Sequence, residues 1–196
     1  MALTASAGVG ATSVDVGRNE IVAAPSEFDL SQGQWKVLGD ATAAAGLAIE
    51  QPGVRTAEKR SALAIQKTAM IKNADVSLRL KTDGGESGEG GGIALRLSDT
   101  RDYYLFQVDA LRDRVVFSRV SDGASNEIVG VDADIASRTW HTLRVRAVDD
   151  EFTVSLDGTW VFTGFDKTLS ERGRIALWTN GDSATRFDRI EIAPLP

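Results

Sequence analysis

From about residue 60 onward the chain alternates apolar and polar residues with a period of two, and this limits its fold more than any other feature. DVSLRLKTD sets Val76, Leu78 and Leu80 against Ser77 and Arg79, and GIALRLSD sets Ile93, Leu95 and Leu97 against Arg96. The same rhythm returns in YYLFQVDA, HTLRVRAV, EFTVSLDG, GRIALWTN and FDRIEIAP. Successive side chains of a strand point to opposite faces, so each run reads as a strand with one face buried. Turn residues separate the runs at the spacing of a sandwich or barrel. Asp157-Gly158, between FTVSL and WVFTG, is the clearest tight hairpin turn. ATAAAGLAIE (41–50) tempts a helix, but Gly46 and weak periodicity leave it one short turn at most, and 132–138 reads as a loop with a helical turn. The fold class expected is all-β: a two-sheet antiparallel β-sandwich of about a dozen strands.

A chain of 196 residues suits one core of this kind. Residues 1–18 are small and polar and read as a flexible arm, leaving 19–196 as a single domain. A net charge of −6 argues against a nucleic-acid surface, which needs clustered cations to displace counterions. The absence of cysteine removes disulfides, thiolate metal sites and a cysteine nucleophile. No run of 18 apolar residues offers a membrane span. The N-terminus has neither a basic region nor an apolar core and reads as a mature N-terminus, so no signal peptide is expected within this chain.

DGGESGEGGG (83–92) invites comparison with a phosphate-binding loop. Such a loop must open a helix whose free N–H groups face the phosphate, and IALRLSD after it is strand. The stretch reads instead as a mobile connection between two neighbouring strands, a candidate lid with Glu86 and Glu89 solvated at its rim.

Three blocks then resemble a known group. GGIALRLSDTRDYYLFQVDALRDRVVFSRVSDG, TWHTLRVRAVDDEFTVSLDGTWVF and RGRIALWTNGDSATRFDRIEI are similar, in order, to conserved blocks of bacterial concanavalin A-like (laminin-G-like) jelly-roll domains. Among these the closest likeness is to the 3-keto-disaccharide hydrolase-like domains. The blocks cover residues 91–192. The resemblance implies two stacked antiparallel sheets, carbohydrate bound on the concave face or rim, and an exported, extracytoplasmic protein. It is weak for activity, because this fold hosts both lectins and glycosidases.

Glycoside hydrolysis needs two carboxyl groups flanking the scissile bond. The Glu-x-Asp-x-(x)-Glu strand of glucanases in this superfamily has only a partial match in Glu27-Phe28-Asp29, with the second glutamate missing. His141, the sole histidine, shares parity with Leu143 and Val145 and reads as structural. No other cofactor is indicated, but calcium is a candidate ion. Jelly rolls often pin their termini with one, and Glu27, Asp29 and Asp188 offer hard oxygen ligands. The parity of Ile175 and Leu177 turns Trp178 away from the core, and the same parity turns Arg96, Gln107, Asp109 and Arg144 outward. If their strands share the concave sheet, these residues form an aromatic-floored polar groove for a saccharide. Trp35, Trp140 and Trp160 are expected in the core. The reading favoured is a non-catalytic carbohydrate-binding module. A hydrolase or lyase acting on an unusual or oxidised saccharide is the alternative, and a structural protein-interaction module the third.

Overall fold

The computed structural model describes residues 12–14, 27–53, 61–67 and 70–196. In chain order its strands are β1 (Thr12–Val14), β2 (Phe28–Gln32), β3 (Lys36–Gly39), β4 (Leu47–Pro52), β5 (Ala62–Gln66), β6 (Ala74–Gly84), β7 (Gly90–Asp99) and β8 (Asp102–Asp109). There follow β9 (Arg114–Ser121), β10 (Ala124–Asp132), β11 (His141–Val148), β12 (Glu151–Leu156), β13 (Thr159–Phe165), β14 (Arg174–Thr179) and β15 (Ala184–Pro194). They form two antiparallel sheets. Sheet A has the order β13-β12-β11-β6-β15-β4-β3, with β1 paired to β15 outside that path. Sheet B has the order β10-β9-β8-β7-β14-β5-β2.

No helix occurs among the described residues. The segment 41–50 divides into turns as far as Gly46 and the start of β4, and 133–138 is a loop that ends in a turn at 137–138. Within the arm expected at the N-terminus, Thr12–Val14 pairs with Ile192–Ile190 of β15. The rest of that arm lies outside the described residues.

The inward residues of the period-two runs meet between the sheets. Phe106 and Phe117 of sheet B stack at 4.6 Å with planes 10° apart, and Phe152 of sheet A packs on Phe117 at 4.9 Å. Tyr104 joins them edge-on, 4.9 Å from Phe152, and donates its hydroxyl to Asp166. Each such ring, removed from water, contributes about 1.5–3 kcal/mol. Trp35 is core, as expected, and faces Phe187 at 6.0 Å. The hairpin at Asp157-Gly158 has both central residues at positive φ, 51° and 79°, which suits the twist of β12 and β13.

Two expectations fail at the ends of β7. The glycine-rich stretch does not join neighbouring strands: β6 lies in sheet A and β7 in sheet B, so residues 85–89 carry the chain across the sandwich. This crossover is tied down rather than lid-like. Asp182 accepts the amides of Glu86 and Ser87 at 3.1 and 2.8 Å, and Gly90 donates to Ser183 Oγ at 2.8 Å. Glu89 is buried and accepts from Thr82 Oγ1 at 2.8 Å, so it is not a solvated rim acid. The glycines serve close approach: a Cβ on Gly92 would sit 2.0 Å from the Phe106 carbonyl oxygen, and one on Gly90 2.3 Å from that of Val108.

At the other end of β7 the alternation breaks. Arg96 sits at φ 52° where the β7–β8 register shifts, so Leu97 joins the outer face and not the face of Ile93 and Leu95. Gly173 on the facing chain leaves the room, since a Cβ there would meet the Arg96 carbonyl carbon at 2.2 Å. The Arg96 side chain therefore does not enter a groove. It is buried over the Phe152 ring at 5.0 Å and donates to the carbonyls of Lys72 (3.1 Å), Leu169 (3.0 Å) and Asp149. One guanidinium thus closes one end of the sandwich. Arg96→Ala leaves three carbonyls without that donor, at about 1–3 kcal/mol for each that water cannot reach. A loss of about 3 kcal/mol or more in urea unfolding is expected; a loss under about 1 kcal/mol would show that the bolt is dispensable.

Candidate functional site

The outer face of sheet B carries only part of the groove expected there. Trp178, Gly92 and Gln107 lie on one row across β14, β7 and β8, so Trp178 and Gln107 do share a face with only a glycine between them. Trp178 is no open platform: it is 5% exposed, in a second apolar cluster with Leu63, Ile65, Leu97, Tyr103, Leu105 and Val120. Burial pushes the Tyr103 phenol pKa upward, opposed by the neighbouring Trp178 indole. Asp109 shares the face, but its carboxylate caps the turn after β8. It accepts the amides of Leu111 and Arg112 at 3.1 and 3.2 Å and pairs with the Arg112 guanidinium at 2.7 Å. Arg144 lies on sheet A, its guanidinium laid across both Asp75 oxygens at 2.7 and 2.6 Å. The residues proposed as one groove are therefore divided between two sheets and one end of the sandwich.

The calcium ligands are also separated. Asp29, on the edge strand β2 of sheet B, faces Lys67 at 3.6 Å and Arg174 at 3.8 Å, and Glu27 is exposed beside it. Asp188 is buried in sheet A, neutralised by Arg79 at 3.0 Å and accepting the Ala44 amide at 2.7 Å. Among the described residues no three His, Asp or Glu side chains are placed to hold a metal ion.

Carboxylates do converge on sheet A, but around cations. Lys36, Glu50, Arg186 and Lys81 form one outward row across β3, β4, β15 and β6. Arg186 reaches Asp40 at 3.0 Å, Asp83 at 3.2 Å and Glu50 at 3.3 Å, and Lys81 also pairs with Asp40. Burial works against ionised Asp40, but the bonds from Lys81, Thr42 and Arg186 outweigh it and hold its pKa well below the ordinary carboxylate range. Trp140 is half-buried against this lattice, not in the core, with Arg79 and Lys81 each 4.9 Å from its ring centre and its indole N–H donated to Thr42. A cleft of about 300 Å³ lies beside the glycine crossover, lined by Asp83, Glu86 and Asp182. Burial raises the Asp182 pKa, but the Ser87 and Glu86 amides outweigh that and lower it. A general acid for glycoside cleavage needs the opposite shift. His141 is structural: Nδ1 lies 2.7 Å from Asp157 and Nε2 3.0 Å from the Ala136 carbonyl.

The accessible aromatics lie elsewhere. Trp160 is 64% exposed rather than core, and Phe165, which the alternation did not single out, is 61% exposed. Both stand on the outer face of the edge strand β13, opposite Ser155 and Glu151 of β12. Those partners are four residues apart, which spaces the rings by about 13 Å along the strand. Between them Thr163 faces Thr153 with hydroxyls 3.5 Å apart, and the Trp160 indole N–H donates to Thr163 at 3.3 Å. The next strand inward, β11, adds Arg144 beside Ser155 and Arg146 beside Thr153. A register shift between Val154 and Ser155 turns Trp160 outward. Strict alternation from Phe162 would have pointed it inward, which is why the sequence pattern missed it.

No family model matches the chain, and no curated protein matches it. Solved structures do resemble it. The carbohydrate-binding module CBM66 from Bacillus subtilis superposes with a TM-score of 0.69 at 22% identity, covering 84% of this chain and 94% of that one. A structure described under endo-acting O-glycanases of the human gut microbiota gives 0.67 at 8% identity, covering 94% of this chain and 99% of that one. The galectin LEC-6 of Caenorhabditis elegans gives 0.51 at 14% identity, covering 73% and 94%. At such identities the likeness establishes the fold alone, a two-sheet jelly-roll β-sandwich.

The lattice around Asp40 makes a pH-dependent contribution. Its folded pKa lies below the unfolded value of about 3.9, so its stabilisation is complete above that value and drains as pH falls toward the folded pKa. Urea unfolding from pH 7 down to pH 2 is expected to show stability falling below about pH 4. Asp40→Asn should make that acid limb shallower; an unchanged limb would remove Asp40 from its cause.

Proposed function

We propose that this chain is a saccharide-binding module, acting outside the cytoplasm, that takes a glycan along the outer face of sheet A across Trp160 and Phe165. The observation that carries the reading is that two large, mostly exposed aromatics stand on one face with hydroxyls between them. Exposed indole and phenyl rings offer broad apolar area at little cost in side-chain entropy, which suits the C–H faces of sugar rings. Thr163, Thr153 and Ser155 then supply hydrogen-bonding groups at the depth of the sugar hydroxyls. The likeness of fold to CBM66 and to a galectin supports the same reading. The hydrolase alternative has the motif resemblance behind it, but Asp40 and Asp182 both shift toward ionisation, away from the acid that bond cleavage requires.

Affinity electrophoresis and titration calorimetry against a panel of soluble polysaccharides test this. Binding to at least one is expected, weakened tenfold or more (about 1.4 kcal/mol) by Trp160→Ala or Phe165→Ala. Both side chains are exposed, so thermal unfolding should move by only a few degrees. Unaltered binding in the double variant, or binding to no saccharide, would overturn the reading. Trp178→Ala, by contrast, is expected to lower unfolding stability by about 3–5 kcal/mol and to leave the affinity of the folded fraction unchanged.

A further inference from the structure

We infer that the platform selects acidic saccharides and that Arg146 is the group that reads the sugar carboxylate; this rests on the reading above. Arg146 is exposed on β11 and makes no ion pair or hydrogen bond among the described residues. Its register partners are Asp75 on β6 and Thr153 on β12. Asp75 is opposite in register but not available, because Arg144 holds both of its oxygens. That contact also raises the Arg144 pKa and leaves its charge spoken for. Of the two guanidiniums on the platform, Arg146 is therefore the one with its donors free.

Its position matches its proposed task. Arg146 stands on the row of Thr153 and Thr163, between the row of Trp160 and the row of Phe165. Each aromatic row is about 7 Å away along the strands, and β13 is two strand spacings, about 10 Å, to the side. A sugar chain lying over the two rings would thus pass within reach of a long arginine side chain at its middle. A planar guanidinium presents a fork that matches a carboxylate with two parallel hydrogen bonds, a geometry a sugar hydroxyl cannot reproduce. Because the whole protein carries a net charge of −6, long-range attraction does not explain uptake of an anion. Recognition has to be local. Glu151, opposite Phe165, makes no ion pair with Arg146 and sets a negative charge at one end of the platform. The carboxylate is thereby directed to the middle of the face.

The test compares soluble polygalacturonate, alginate and hyaluronate with their carboxyl-reduced forms, which keep the sugar backbone and lose the charge. The wild-type protein is expected to bind at least one uronate polymer tenfold or more tighter than its reduced form in low salt. The preference should shrink as salt rises. Arg146→Gln should abolish the preference while keeping the affinity for the reduced polymer, and Glu151→Gln should enlarge it. Equal affinity for native and reduced polymers, or a preference surviving Arg146→Gln, overturns the inference. Binding confined to neutral glycans and lost in Trp160→Ala overturns it too, but leaves the saccharide reading standing. No binding to any saccharide, with self-association in sedimentation that Trp160→Ala abolishes, overturns both and assigns the face to a second copy of the chain.

Discussion

The interdigitation of aromatic rings between the sheets is the contact on which everything else in this molecule depends. Phe106 and Phe117 from one sheet and Phe152 from the other fill the same layer, with Tyr104 closing it at one side. A sandwich core about 10 Å thick leaves no room to shift one sheet without opening a void. This fixes which face of every strand is inner, and so which residues are left to meet a ligand. The glycines at the start of β7 and the Arg96 bolt serve the same end. Gly90 and Gly92 bring β7 against β8, and Arg96 ties three loop carbonyls at the other end of the strand.

The two outer faces solve different problems. On sheet B, apolar residues turn outward and gather around Trp178, so that face adds buried area instead of open polar surface. On sheet A, charges turn outward, and on the β3, β4, β15 and β6 side Asp40, Glu50 and Asp83 interlock with Lys36, Lys81 and Arg186. Toward β11, β12 and β13 the lattice thins. There the aromatics stand clear, and the Arg146 guanidinium has no acid partner among the described residues.

That division bears on recognition against catalysis. Hydrolysis would ask for paired carboxyl groups whose environments push their pKa values apart. Asp40 is drawn toward ionisation by Lys81, Thr42 and Arg186 and Asp182 by backbone amides, so both act as fasteners of loops and sheets.

The sequence by itself determined the class of fold, the inner face of most strands, the Asp157-Gly158 hairpin, the core place of Trp35 and the structural role of His141. These follow from local rules: side chains alternate along a strand, and tight turns need residues that accept positive φ. It did not reveal which strands share a sheet, so Arg144 looked like a neighbour of Trp178 and Gln107, which have equal parity, when sheet order places it on the other sheet. Nor did it reveal the register shifts. At Arg96 a bulge reverses the alternation with an arginine where a glycine would have announced it, and between Trp160 and Phe162 another turns a ring from the core to the surface. Only the tertiary structure decides such matters, because a one-residue slip reverses every face beyond it and is stabilised by partners distant in the chain.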